Sequence, residues 1–279
     1  MTNLSPLSFY SSLKEQNHRR NYAYDAVFPL VAHRDYFMPF QFVLPGTVAI
    51  GTVTMHDVSG TQVKVLTSAM KTAGLTATTF DGYTVFSFPS RTTASSLGLP
   101  VGNHYLKING LVSEVFTVVS NANKFLQLVW RNEEDIIYNG GRLLYSTGYA
   151  NRLLLDTQLG KPDYSFEEEG EERDGFFFPE KQISEKVYKF TFLAPEYLLD
   201  ALRLVRLSDH VSIVDTFGKV HKCDTILLTP RWQTQGDIAS VGVEFETGTV
   251  IKRLGNGTSA DIVTGTGDFN VDYNEDYYI

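Results

Sequence analysis

Tyr105-Leu106-Lys107-Ile108-Asn109-Gly110, followed by Val112 to Val119, carries the clearest architectural signal in the chain. Tyr105 to Ile108 leads into Asn109-Gly110, a dipeptide suited to the positive φ values of a two-residue hairpin turn. The next strand, Val112 to Val119, follows at once, so the stretch predicts two antiparallel strands. The same pattern recurs on its N-terminal side. Tyr36 to Val43 is an aromatic, β-branched run that Pro39 demotes to an edge strand. Thr47 to Ile50 and Thr52 to Met55 read as strands, followed by a turn over Asp57 to Gly60. Gln62 to Leu66 alternates, and Thr84 to Phe88 alternates after Asp81-Gly82. Short strands separated by frequent turns indicate a β-sandwich or barrel, and the expectation for 35–122 is the sandwich.

The 35–122 unit is preceded by residues 1–34, read as an N-terminal arm. This arm either packs on a neighbour or straps its own domain. Strands continue beyond 122: Phe125 to Trp130, Leu143 to Tyr145 and Arg152 to Asp156. Trp130 lies in an apolar alternating run and is expected in the core. Residues 161–182 hold Glu167-Glu168-Glu169-Gly170-Glu171-Glu172, a self-repelling run expected as a solvated loop. After Asp174-Gly175 come Phe176-Phe177-Phe178, which must bury in this chain or in a partner. The next strand, 185–195, has an aromatic face of Tyr188, Phe190 and Phe192. A helix is expected over 195–207, with Pro195 and Glu196 suited to its first turn. Its apolar stripe is Leu198, Ala201, Leu202 and Val205. Strands return at Val211 to Val214, Val220 to Cys223, Thr225 to Leu228 and Ala239 to Thr247. The expected fold is therefore mainly β. A β-sandwich is followed by a β-rich α+β domain over 123–254 and a polar C-terminal extension over 255–279.

The chain has 279 residues, is 43% hydrophobic and carries a net charge of −8, which excludes global disorder. The charge is uneven. Residues 1–150 hold 11 basic against 9 acidic side chains, and residues 151–279 hold 13 against 23. An acidic second half without clustered Lys and Arg points away from nucleic acid. No apolar run of 18 residues exists to span a membrane, and Met1 to Tyr10 does not read as a secretory signal. Cys223 is the lone cysteine and has no partner for an internal disulfide.

Phosphate-binding loop, zinc-protease and nucleophile-elbow motifs are missing, and the six histidines are scattered. Cys223 and His221 would share one side of a strand, although a cysteine there acts by default as a small hydrophobe. The acidic run could feed a metal or a carboxylate pair. Salt bridging to a neighbouring subunit and plain solvation are the stronger readings. Asp268 to Asn274 spaces oxygens like the start of a calcium loop, but Tyr273 stands where that loop needs glycine. The expectation is no enzymatic activity and no cofactor. The candidate interface residues are Glu167, Glu168, Glu169, Phe176, Phe177, Phe178, Phe269, Tyr273, Tyr277 and Tyr278. Trp232 is the candidate glycan platform of an alternative reading as a carbohydrate-binding adhesion module.

Several blocks together resemble virion structural proteins of tailed phages and prophages of gut bacteria. They are Leu154 to Tyr164, the acidic run, Phe176 to Ser184, Phe192 to Leu198, and Thr229 to Asp237 through Glu246. Leu99 to Leu106 and Ser113 to Val119 are similar to the β-module of the same proteins. The resemblance covers roughly 99–250. It implies a non-enzymatic place in the tail or baseplate, contacts with further copies and with other tail proteins, and assembly in the bacterial cytoplasm into the virion. By analogy, the strand–helix–strand order over 185–247 fits tail-tube-like or hub-like folds.

Overall fold

The structure, a computed structural model, describes residues 4–11, 30–89, 97–138, 141–232, 238–253 and 262–264. In its first part the strands are β1 (Phe9–Tyr10), β2 (Leu30–His33), β3 (Phe40–Pro45), β4 (Val53–Asp57) and β5 (Gln62–Val65). Helix α1 (Thr67–Thr72) comes next, then β6 (Thr76–Phe80), β7 (Tyr83–Phe88), β8 (Gly102–Ile108), β9 (Leu111–Ser113) and β10 (Phe116–Val119). They make two sheets. The larger runs β1-β9-β8-β10-β2, with β4 joined to β8 and β5 to β4; the smaller runs β3-β7-β6. Phenylalanines bind the two together. Phe9 of β1 lies 4.6 Å from Phe42 and 5.0 Å from Phe40 of β3, and Phe37, between β2 and β3, meets Phe116 of β10 edge-on at 4.7 Å and Phe88 of β7 at 6.3 Å. Such ring pairs add about 0.5–1.5 kcal/mol each beyond the area they bury. This is a β-sandwich, as expected.

Local details follow from local chemistry. Asn109 (φ 50°) and Gly110 (φ 82°) form the hairpin turn between β8 and β9. Pro39 directly precedes β3, an edge strand. The expected single strand Val112–Val119 is broken at Glu114, a buried carboxylate that accepts a hydrogen bond from the Tyr10 hydroxyl at 2.6 Å. Thr47–Ile50 is not a strand. It is irregular chain, tethered by the Val48 N–H donating to Thr84 Oγ1 at 2.8 Å. The N-terminal segment is a strap on its own domain over its described residues. Leu4 to Tyr10 are buried, β1 pairs with β9, and β2 runs parallel to β10.

The second part contains β11 (Leu126–Arg131), β12 (Ile136–Tyr138), β13 (Gly141–Leu143) and β14 (Asn151–Leu155), then β15 (Asp163–Arg173) and β16 (Phe176–Pro195). After α2 (Glu196–Leu202) come β17 (His210–Val214), β18 (Val220–Lys222), β19 (Thr225–Trp232), β20 (Ile238–Arg253) and β21 (Ile262–Thr264). One sheet runs β14-β11-β17-β18. Another runs β15-β16-β20-β19, with β21 also on β20. The helix is shorter than expected: Pro195 caps it, and after Leu202 the chain tightens into a 3-10 turn at Val205–Leu207. Tyr197, Leu198, Ala201 and Leu202 are buried.

The apolar core is continuous across both parts, from Leu4 to Phe245, with Trp130 fully enclosed. Gln41 is a polar pin in it. Its amide nitrogen donates to Ser87 Oγ at 3.0 Å and to the Leu144 carbonyl at 2.8 Å, while its oxygen accepts the Leu144 N–H at 2.9 Å. The Tyr149 hydroxyl reaches Ser5 at 3.2 Å, so the strap also touches the second part.

Candidate functional site

The segment expected as the acidic loop 161–182 is instead a long β-hairpin. β15 and β16 pair antiparallel from Asp163↔Val187 to Arg173↔Phe176. Asp174 (φ 52°) and Gly175 (φ 79°) form its tip, the positive φ pair that a two-residue hairpin turn requires. The carboxylates tolerate pairing because donors meet them. From the opposite strand Lys181 Nζ lies 3.2 Å from Glu169 Oε1 and Gln182 Nε2 donates to Glu168 Oε1 at 2.6 Å, while on their own strand Arg173 pairs with Glu171. Gly170 has a steric reason. The register shifts beside it, and a Cβ there would collide with the Phe178 carbonyl.

No residue from Asp156 to Lys189 is fully buried; β16 has β20 as its second neighbour from Lys181 onward, so the outer hairpin, Gly170 to Pro179, extends past that pairing as an arm. Its inner strand continues into the core, where Phe190, Phe192 and Ala194 are enclosed. At the tip Phe176, Phe177 and Phe178 are 70%, 46% and 53% exposed. Residues directly opposite in an antiparallel pair share a face. Phe176 and Phe178 therefore lie with Arg173 and Glu171 on one face, and Phe177 with Glu172 on the other. Tyr164 and Phe166, both exposed, share the face of Phe177. They are not among the candidates read from the sequence, although the alternation Tyr164-Ser165-Phe166-Glu167 signals a strand.

From Asp163 to Val187 the hairpin holds nine acidic and three basic side chains, so it carries most of the chain's net charge of −8. Near its base Glu185 titrates above the ordinary glutamate value. Partial loss of hydration is the main cause, with Glu246, Glu167 and Asp224 adding repulsion and a hydrogen bond from Ser165 opposing it.

The other candidates lie elsewhere. Trp232 ends β19 and is half-exposed, at the opposite side of the sheet from β15. Phe269, Tyr273, Tyr277 and Tyr278 lie outside the described residues, as does the calcium-like stretch Asp268–Asn274. His221 Nε2 lies 3.2 Å from Asp215 Oδ2, a carboxylate oxygen that accepts from the imidazole, while burial pushes the neighbouring Cys223 thiol up to about 12, far from the thiolate a nucleophile needs. Among the described residues no group of three metal-ligating side chains converges. The chain matches no protein-family model and no characterised protein.

Proposed function

We propose that this protein is a non-enzymatic structural subunit of a phage tail or baseplate, forming a homo-oligomeric ring that joins neighbouring tail components in the virion. The observation that carries the reading is the arm whose aromatic side chains lie on both faces of its tip. A one-sided apolar strand can be covered by its own core. A tip with phenylalanines on both faces is covered by being enclosed, and a neighbouring subunit supplies the enclosure. The acidic stem keeps the arm soluble and discourages sheet edges from pairing indiscriminately before assembly. A heterologous contact that repeats around an axis closes into a ring. The resemblance of roughly 99–250 to virion structural proteins supports the same place.

The test is the oligomeric state. Mass photometry of the purified chain should give a ring-sized species that Phe176→Ser, Phe177→Ser and Phe178→Ser together reduce to monomer. A wild-type chain that stays monomeric at high concentration, and that mass spectrometry does not find in tail particles, would end this reading. The half-exposure of Trp232 supports a second one, a glycan-binding adhesion module. Saturable binding on a glycan array, lost in Trp232→Ala, would favour it.

A further inference from the structure

We propose that β6 is a second self-association surface, on which two copies of the chain pair antiparallel about a two-fold axis centred on Thr78. Among the described residues, five sheet-edge strands are exposed along most of their length: β5, β6, β15, β18 and β19. Four are guarded against pairing with their own kind. Lys64 stands in β5, five glutamates stand in β15, Lys222 stands in β18, and Pro230 and Arg231 stand in β19. β6 reads Thr76-Ala77-Thr78-Thr79-Phe80 and carries neither charge nor proline. Thr76 to Thr79 are exposed and Phe80 is half-buried. An edge of this composition is the kind that pairs with another strand. Self-pairing of β15 would set carboxylates against carboxylates, whereas self-pairing of β6 sets threonine and alanine against each other without repulsion.

The register fixes the geometry of that pairing. Asp81 (φ 48°) and Gly82 (φ 74°) make a two-residue turn, so Phe80 and Tyr83 exchange hydrogen bonds across it. Hydrogen-bonded and non-hydrogen-bonded pairs then alternate, which turns the N–H and C=O of Ala77 and Thr79 away from β7 and toward solvent. An axis through Thr78 uses both outward residues, because Ala77 of each copy meets Thr79 of the other. The result is a continuous sheet, β3-β7-β6 followed by the same strands in reverse. Two five-residue strands bury far less than the roughly 1,200 Å² of a stable free-standing complex. The contact is therefore weak alone and strengthens where copies are already gathered. It shares with the ring reading only the identity of the partner and does not use the arm.

Disulfide trapping tests it. Across the axis the two Thr78 residues form a non-hydrogen-bonded pair with Cα atoms about 4.5 Å apart, inside the range of about 4.4–6.8 Å that a disulfide spans. The two Thr76 residues are offset by four positions, about 13 Å. In a Cys223→Ser chain, mild oxidation of Thr78→Cys should yield at least tenfold more disulfide-linked dimer than Thr76→Cys. Adding Thr79→Pro removes an outward N–H that the ladder with β7 does not use, and should abolish the excess while the circular dichroism spectrum is kept. Equal cross-linking of the Thr78→Cys and Thr76→Cys chains, or cross-linking indifferent to Thr79→Pro, would overturn the proposal. In the triple serine chain the yield should fall while the excess of Thr78→Cys over Thr76→Cys cross-linking persists, and disappearance of that excess would also overturn it. A wild-type chain that is otherwise monomeric, but whose Thr78→Cys variant cross-links, would remove the arm-built ring and leave this surface standing.

Discussion

Glu185 sits opposite Ser165 at the base of the arm, where partial loss of hydration and then Glu246 raise its pKa above the ordinary 4.5. A carboxyl whose folded pKa is raised binds more protons folded than unfolded. Its contribution to stability is full below 4.5 and is lost as pH rises through the folded value. At neutral pH the charged group therefore works against the fold. Glu185→Gln should raise the melting temperature at pH 7.5, with an advantage that shrinks as pH falls below 4.5, where the native carboxyl is neutral too. Thermal unfolding at both pH values checks this, and an equal difference at the two would contradict it. His104 is the opposite kind of residue: buried, with both ring nitrogens lacking a partner among the described residues. Its place on the inward face beside Leu106 and Ile108 follows from strand alternation. Nothing in the sequence around it signals that both nitrogens go unmet.

The arm stands or falls as an element on Gly170. A side chain there must displace the backbone of Phe178 and Pro179, and strain of that kind costs about 1–3 kcal/mol. Gly170→Val should unzip the outer half of the hairpin and leave the core intact. Hydrogen exchange should quicken in 165–182 and stay slow in β11 and β17; unchanged protection in the arm would refute the steric argument. The same element shows what the sequence can and cannot reveal. Asp174-Gly175 and Asn109-Gly110 are legible because a turn is specified by two adjacent residues. The acidic run reads wrongly as a loop because its cure is non-local: Lys181 and Gln182, a dozen or more positions on, supply the donors that let carboxylates sit in a strand. The break at Glu114 is hidden for a like reason, since its partner Tyr10 lies far back in the chain. Trp130 falls in the core as expected because an apolar alternating run fixes its face without knowledge of any partner.

At the scale of the molecule, the two parts suggested by composition share one core, and Gln41 ties β3 to Leu144 across it. Unfolding in urea should therefore follow a single transition, with the near-ultraviolet signal of Trp130 and the far-ultraviolet signal of the sheets changing together. Two separated transitions would show that the parts hold themselves independently. The first-part sheet also constrains how the chain can be made. β1 has no slot until β9 exists, and the register Phe9↔Ser113 spans more than a hundred residues. A nascent polypeptide leaving the ribosome must hold Phe9 and Tyr10 without their strand partner until Ser113 has emerged, so this segment waits through the synthesis of more than a hundred residues before it is locked in place.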